Sequence, residues 1–292
     1  MRKTAKLKEI LGRRAAVLAP GAPNALFARV IEDLGFEVVY VTGAGIANMH
    51  LGAPDVGLTT VTEVAETTAA IADAVDLPLL VDADTGFGNA LNMTRTVRLL
   101  ERAGAAGLQI EDQVFPKRCG HFPGKAVVPL DEMLDKIKAA VDARADADLQ
   151  IVARTDARAI EGLDAALARA AAFIEAGADA TFVEAPLSLR EFERIANELT
   201  APQVANIVFG GRTPDPGKAR FAALGISLVL YANAALQAAL RASREVLGSL
   251  KDTGSLDAVG DRLSSFEERQ KAVRKDEWDA LEARFAPRRP AE

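Results

Sequence analysis

Apolar and polar positions along this 292-residue chain follow two alternating rhythms. Short β-branched runs are each followed by a longer stretch rich in Ala, Leu, Glu and Arg, and the pair repeats about eight times. Apolar runs bounded by turn residues read as strands, and apolar residues three and four apart read as one face of a helix. The predicted strands cover residues 15–19, 38–42, 79–84, 107–112, 150–155, 180–185, 203–207 and 227–231. Helices are expected over about 24–34, 61–74, 93–103, 131–144, 163–176, 189–199, 217–224 and 234–250. Leu163, Ala166, Leu167, Ala170, Phe173 and Ile174 show the helical spacing plainly. Gly35, Gly104, Gly177 and Gly225 follow helix ends, where a left-handed cap favours glycine. Two connections are long: the one before the second helix and the one after the fourth strand.

Alternating strands and helices imply parallel pairing through right-handed crossovers. Strands such as Leu79-Leu80-Val81 are apolar on both faces, as in a sheet covered by helices. Eight units favour a closed (β/α)8 TIM-like barrel over an open sheet, with the catalytic domain at residues 1–250. Residues 251–292 are charged and helical in pattern, with Trp278, Leu281 and Phe285 as a sparse apolar stripe. We read them as a C-terminal helical extension that packs on a neighbour.

Composition narrows the function. Hydrophobic residues are 49% and charged residues 26%, a globular profile. The net charge of −6, with Lys and Arg scattered, excludes a nucleic-acid footprint. The one cysteine permits no intrachain disulfide and fits a reducing compartment. Charges at Lys8, Glu9, Arg13 and Arg14 interrupt any signal-like run, and no apolar stretch approaches the ~18 residues of a membrane span. A cytoplasmic enzyme without membrane or nucleic-acid partners is expected.

In such a barrel the C-terminal strand ends build the active site. Here they carry Tyr40 and Thr42, Asp82 and Asp84, Gln109, Glu111 and Asp112, Arg154 and Asp156, Glu184, Asn206, Tyr231 and Asn233. An apolar strand ending in a charge is costly unless that charge is paired or binds something. Asp82 and Asp84, two apart, are expected on one side of their strand, with Glu111 alongside. Three such carboxylates repel unless a proton, a cation or nearby Arg95, Arg98, Arg154 or Arg158 intervenes. Oxygen donors without His or thiolate suit Mg2+, with Mn2+ as the alternative. The loop Lys117-Arg118-Cys119-Gly120-His121 surrounds the one thiol with cations, which would lower its pKa. The bland alternative is a solvated basic loop. Gly43-Ala44-Gly45 lacks the third glycine of a dinucleotide fingerprint, and Gly52, Pro54 and Gly57 argue against an immediate helix. It reads as a Gly-rich turn whose amide groups face an anion.

Together the stretches VTGAG, LGAPDVGLTT, LLVDADTGFGN, AGLQIEDQVFPKRCGH, VARTDA, FVEAP and ANIV resemble the isocitrate lyase/phosphoenolpyruvate mutase superfamily. The resemblance implies Mg2+ at Asp82 and Asp84 with Asp55 and Glu111 nearby, and a substrate carboxylate at Thr42, Gly43 and Ala44. It also implies substrate contacts from Arg154, Glu184, Asn206 and Gly120. Cys119 would be the general acid of the lyase branch, flanked by Lys117 and His121 in the catalytic set. The base is open, with Tyr40 a candidate. Relatives form homotetramers with an exchanged C-terminal helix, which would account for the tail.

The resemblance further implies retro-aldol or Claisen-type cleavage of a 2-hydroxy dicarboxylate. Phe122 follows His121 where methylisocitrate-cleaving relatives have Arg, and Gln237 stands where they carry another Arg. Fewer cations, with Phe122 and Phe209, point to two carboxylates and apolar branches, as in 2,3-dimethylmalate. Cleavage of 2-methylisocitrate, or hydrolysis or decarboxylation of oxaloacetate, are the alternatives.

Overall fold

The structure is a computed structural model that describes residues 1–118, 120 and 124–286. Residue parity along the strands divides its core into two shells. Val81, Leu108, Ile110, Ile151 and Ala153 point outward into the largest apolar cluster, against the surrounding helices. Val17, Ala19, Val38, Tyr40, Leu80, Val152, Ala180, Phe182, Leu228 and Leu230 form a second cluster inside the sheet. This is the period of two that a pleated strand imposes.

The strands are β1 (Val17–Ala22), β2 (Val39–Val41), β3 (Leu79–Asp82), β4 (Gly107–Glu111), β5 (Gln150–Thr155), β6 (Ala180–Val183), β7 (Gln203–Asn206) and β8 (Leu228–Tyr231). All pair in parallel in chain order, and β8 closes on β1 through Val17↔Leu228 to Pro20↔Tyr231. Around them lie α1 (Lys3–Gly12), α2 (Ala25–Asp33), α3 (Gly43–His50), α4 (Val61–Ala74), α5 (Ala90–Arg102), α6 (Leu130–Ala143), α7 (Leu163–Glu175), α8 (Leu189–Glu198) and α9 (Lys218–Ala223), followed by α10 (Ala234–Thr253). The expected eightfold (β/α) barrel is what the chain forms. The predicted cap glycines at 35, 104, 177 and 225 all have positive φ, between 79° and 105°.

Four local readings need correction. First, the segment before residue 15, for which the pattern predicts no element, forms α1. Its Leu7, Ile10 and Leu11 are fully buried with the inner-barrel side chains. A side chain on Gly107 would strike Leu7, so α1 plugs the end of the barrel where the strands begin. Second, β1 runs later than expected, at Val17–Ala22, and Ala16 just before it takes a positive φ of 49°. Third, β3 stops at Asp82, and Asp84 takes a left-handed φ of 46°. Fourth, the glycine-rich turn after β2 is the helix α3, capped by the Thr42 hydroxyl accepting from the Gly45 amide at 3.1 Å. Gly52, Pro54 and Gly57 end this helix rather than prevent it.

The chain divides into two compact units, 1–236 and 237–292. The second holds most of α10, then α11 (Phe266–Ala272) and α12 (Lys275–Phe285). Neither α11 nor α12 buries a residue, and Phe266, Trp278 and Phe285 are 73%, 61% and 70% exposed. Among the described residues, no helix is long and apolar enough to cross a membrane.

Candidate active site

Inside the barrel, four rows of side chains that start apolar turn polar at their C-terminal ends. Leu80 is followed by Asp82, Val152 by Arg154, Phe182 by Glu184 and Val204 by Asn206. On β4 the inward positions are Gln109 and Glu111, both within 1% of full burial. Charges at this depth must find partners or bind a ligand, and they do so in two groups.

The first group gathers acids around one ammonium. Lys117 Nζ lies 2.7 Å from Asp84 Oδ1 and also pairs with Asp55. Burial alone would lower the Lys117 pKa, but Asp84, Glu111, Asp55 and Asp82 together hold it well above the usual lysine value. Burial pushes the Asp84 carboxyl up to about 6 against the opposing pull of Lys117. Asp82 Oδ1 accepts from the Asp84 amide at 3.2 Å and from Gln109 Nε2 at 3.2 Å, and its Oδ2 accepts from the Gly43 amide at 3.3 Å. A Cβ on Gly43 would lie 3.0 Å from Asp82 Oδ2 and 3.4 Å from Asp84 Oδ1, so the two carboxylates do converge. They converge through the turn at Asp84, not through strand alternation. Tyr40 donates to Gln109 Oε1 at 3.1 Å. Burial, then Asp82, pushes its phenol well above the ordinary value, so in this arrangement it is a donor.

The second group surrounds Arg154. Its Nη1 is 3.2 Å from Glu111 Oε2, its Nε is 2.9 Å from Asp156 Oδ2, and its Nε is 3.7 Å from Glu184 Oε2. The guanidinium stands 5.3 Å from the Phe182 ring centre, a cation–π contact from the neighbouring strand. Gly120 is packed so closely here that a Cβ would lie 2.5 Å from Arg154 Nη2 and 2.7 Å from Glu184 Cδ. Glu111 joins the two groups. Burial holds its carboxyl well above the ordinary range although Arg154 and Lys117 oppose this.

The structure thus brings together Tyr40, Asp55, Asp82, Asp84, Glu111, Lys117, Gly120, Arg154 and Glu184. Thr42 caps α3, and its neighbour Gly43 spends its amide on Asp82 rather than on open space; Ala44 lies half-buried in the first turn. Asn206 closes β7 with a buried Oδ1 that has no hydrogen bond among the described residues. Cys119 and His121 lie outside the described residues.

Four further residues belong to this constellation. Gln109 bridges Tyr40 and Asp82, and its inward parity with Glu111 was the available signal. Asp156, a strand-end acid, holds Arg154. Asp112 accepts from the Asp156 amide at 2.9 Å, Thr155 Oγ1 at 2.7 Å and Arg169 Nε at 2.8 Å. Lys125, which pairs with Asp156, had no sequence signal.

For a divalent cation the fit is good but specific. Among the described residues, Glu111 Oε1 is buried without a hydrogen bond, and Asp84 Oδ1 is met by the Lys117 ammonium alone. Among the described residues, no three His, Cys, Asp or Glu side chains form a ready-made metal cluster. Mg2+ commonly takes one or two carboxylates and keeps several waters, and the Asp82–Asp84 pair suits that mode.

Three comparisons bear on this geometry. The family model described as phosphoenolpyruvate phosphomutase matches residues 7–251. A 2,3-dimethylmalate lyase of Eubacterium barkeri is 46% identical over 92% of this chain and 93% of its own. A 2-methylisocitrate lyase of Aeropyrum pernix is 46% identical over 88% and 82%. Among solved structures, oxaloacetate acetylhydrolase bound to 3,3-difluorooxalacetate superposes with a TM-score of 0.92, at 31% identity and 98% coverage of both chains. A 2,3-dimethylmalate lyase gives 0.92 at 32% identity, covering 97% and 95%. A phosphonopyruvate hydrolase with oxalate and Mg2+ gives 0.88 at 32%, covering 98% and 99%. With an eight-stranded barrel, an acid-rich mouth and relatives named as lyases across nearly its whole length, this chain belongs to the phosphoenolpyruvate mutase/isocitrate lyase superfamily of enzymes.

Proposed function

We propose that the chain is a Mg2+-dependent carbon–carbon lyase that cleaves a 2-hydroxy dicarboxylate of the 2,3-dimethylmalate type into a 2-oxo acid and a carboxylate. The observation that carries this reading is the division of the mouth into an acid pair, Asp82 and Asp84, and a buried guanidinium, Arg154, joined by Glu111. The similarity to lyases of dimethylmalate and methylisocitrate supports it. The neighbour solved with oxalate and Mg2+ supports the metal.

In this reading Asp82 and Asp84 hold Mg2+, with Asp55 close by. When bound, it supplies Lewis acidity to the substrate's oxygens. Arg154 offers a planar fork to one substrate carboxylate, with Gly120, Glu184, Asn206 and the Thr42-Gly43-Ala44 turn completing that contact. Glu111, with a raised pKa and one oxygen unpartnered among the described residues, suits exchange of the hydroxyl proton better than Tyr40, whose phenol stays protonated. Loss of that proton lets the C2–C3 bond break, its electrons passing to the carbon beside the departing carboxylate. Cys119 returns a proton to that carbon, with Lys117 and His121 as its loop neighbours. The single thiol suits a reducing, cytoplasmic setting. The exposed Phe266, Trp278 and Phe285 suit burial in a homotetramer with exchanged C-terminal helices.

The test is cleavage of 2,3-dimethylmalate, 2-methylisocitrate, isocitrate and oxaloacetate by enzyme stripped with EDTA and re-supplied with Mg2+ or Mn2+. Full activity without metal, or full turnover by Cys119→Ser, would refute the reading. A second reading, oxaloacetate hydrolysis, rests on the likeness to oxaloacetate acetylhydrolase. Oxalate and acetate as products would establish it. Light scattering tests the tetramer.

A further inference from the structure

Lys125 has an unusual place for a lysine. Its side chain is 3% exposed, and its Nζ lies 2.5 Å from Oδ1 of Asp156, which is fully buried. A buried ammonium is costly unless paired and hydrogen-bonded. Charge balance alone does not explain it, because Asp156 already receives two hydrogen bonds from Arg154, Nε at 2.9 Å and Nη2 at 3.2 Å. Lys125 Nζ also donates to the Gly120 carbonyl. One ammonium therefore joins a backbone oxygen to the carboxylate that orients Arg154. The backbone that carries this carboxylate is itself anchored, since the Asp156 amide donates to Asp112. The Gly120 backbone in turn presses on Arg154 and Glu184, with no room for a side chain.

We propose that Lys125 is a positioning residue that ties the backbone at Gly120, through Asp156, to the guanidinium of Arg154. The loop residue beside the thiol and the cation that meets substrate are thereby held in one register. Neither partner of this tie touches reacting atoms; each acts through Arg154 and Gly120. The inference rests on the proposed substrate contact of Arg154. Its test separates the two.

Full-length wild type, Lys125→Met and Lys125→Arg are compared by iodoacetamide alkylation of Cys119, the only thiol, with and without oxalate. The same proteins are assayed for steady-state cleavage and for Tm. Removing one partner of a buried pair releases what it held, so Lys125→Met should alkylate at least about tenfold faster and lose protection by oxalate. KM should rise by about tenfold or more and kcat should also fall, because ground-state contact and geometry are both affected. Lys125→Arg should recover most of both at an unchanged Tm. Alkylation and KM of Lys125→Met within about twofold of wild type would overturn the proposal. So would faster alkylation that only tracks a large fall in Tm and is not recovered by Lys125→Arg, since that marks mere support of the fold. If wild type cleaves no dicarboxylate, the lyase reading fails while the alkylation comparison still decides the tie.

Discussion

Replacing Arg169 by Met leaves a carboxylate deep in the protein without its cation. Asp112 is fully buried and accepts three hydrogen bonds, from Thr155 Oγ1 at 2.7 Å, the Asp156 amide at 2.9 Å and Arg169 Nε at 2.8 Å. Arg169 also donates to the Val128 carbonyl at 2.8 Å and stands 6.0 Å from the Phe173 ring centre. Breaking one side of a buried pair costs about 3–5 kcal/mol, because the remaining charge is uncompensated. The two retained donors soften this, and the lost bond to Val128 adds about 1 kcal/mol, so about 3–4 kcal/mol is expected near neutral pH. In a unit of 236 residues that is a fall in Tm of roughly 6–16 °C.

The pH dependence gives the sharper test. Burial already raises the Asp112 pKa, and loss of Arg169 must raise it further. The folded state then binds a proton more tightly than the unfolded state. Stability relative to wild type is therefore lost as pH rises from the ordinary carboxylate value through the raised folded one. Thermal unfolding at pH 4.5 and pH 8 should show a small deficit at the lower pH and the full deficit at the higher. A loss under about 1 kcal/mol at pH 8, or a deficit that does not shrink on acidification, would refute the burial argument.

Leu7→Ala should cost about 2–5 kcal/mol in urea or thermal unfolding while leaving kcat unchanged, because Leu7 is fully buried at the end of the barrel away from the acids. Gly120→Ala should lower kcat/KM by at least about tenfold with little change in Tm, since its methyl would lie 2.5 Å from Arg154 Nη2. Glu191 accepts from Arg158 at 2.6 Å and from the Leu187 amide at 2.9 Å, which hold its carboxyl below the usual range. Its contribution is present at neutral pH and lost as pH falls through the depressed folded pKa, so Glu191→Gln should destabilise measurably at pH 7 and less at pH 3.

The barrel was legible because its code is periodic: strand parity and helix spacing each repeat eight times, and local slips at Ala16 or Asp84 leave the count intact. The acids at Asp82, Asp84 and Glu111 were legible because polar residues ending apolar strands announce a mouth. What escaped depends on contacts distant in sequence or on a single dihedral. Nothing local says that Lys117 reaches Asp84 and Asp55, or that Lys125 reaches Asp156. Gly52 and Pro54 signal an end to a helix as readily as its absence, so α3 is not legible from them. In α1, Leu7, Ile10 and Leu11 carry helical spacing, but the run is short and its partners lie as far along the chain as β5 and β8.

That last placement has a consequence for how the molecule is made. Although α1 precedes every strand in the chain, it is among the last elements to find its home, because its apolar face is covered by side chains of strands throughout the barrel, up to Leu228 on β8. Until then Leu7, Ile10 and Leu11 remain available to chaperones or to other nascent chains. Changes to the first dozen residues should therefore register in folding yield well before they register in the turnover of molecules that have matured.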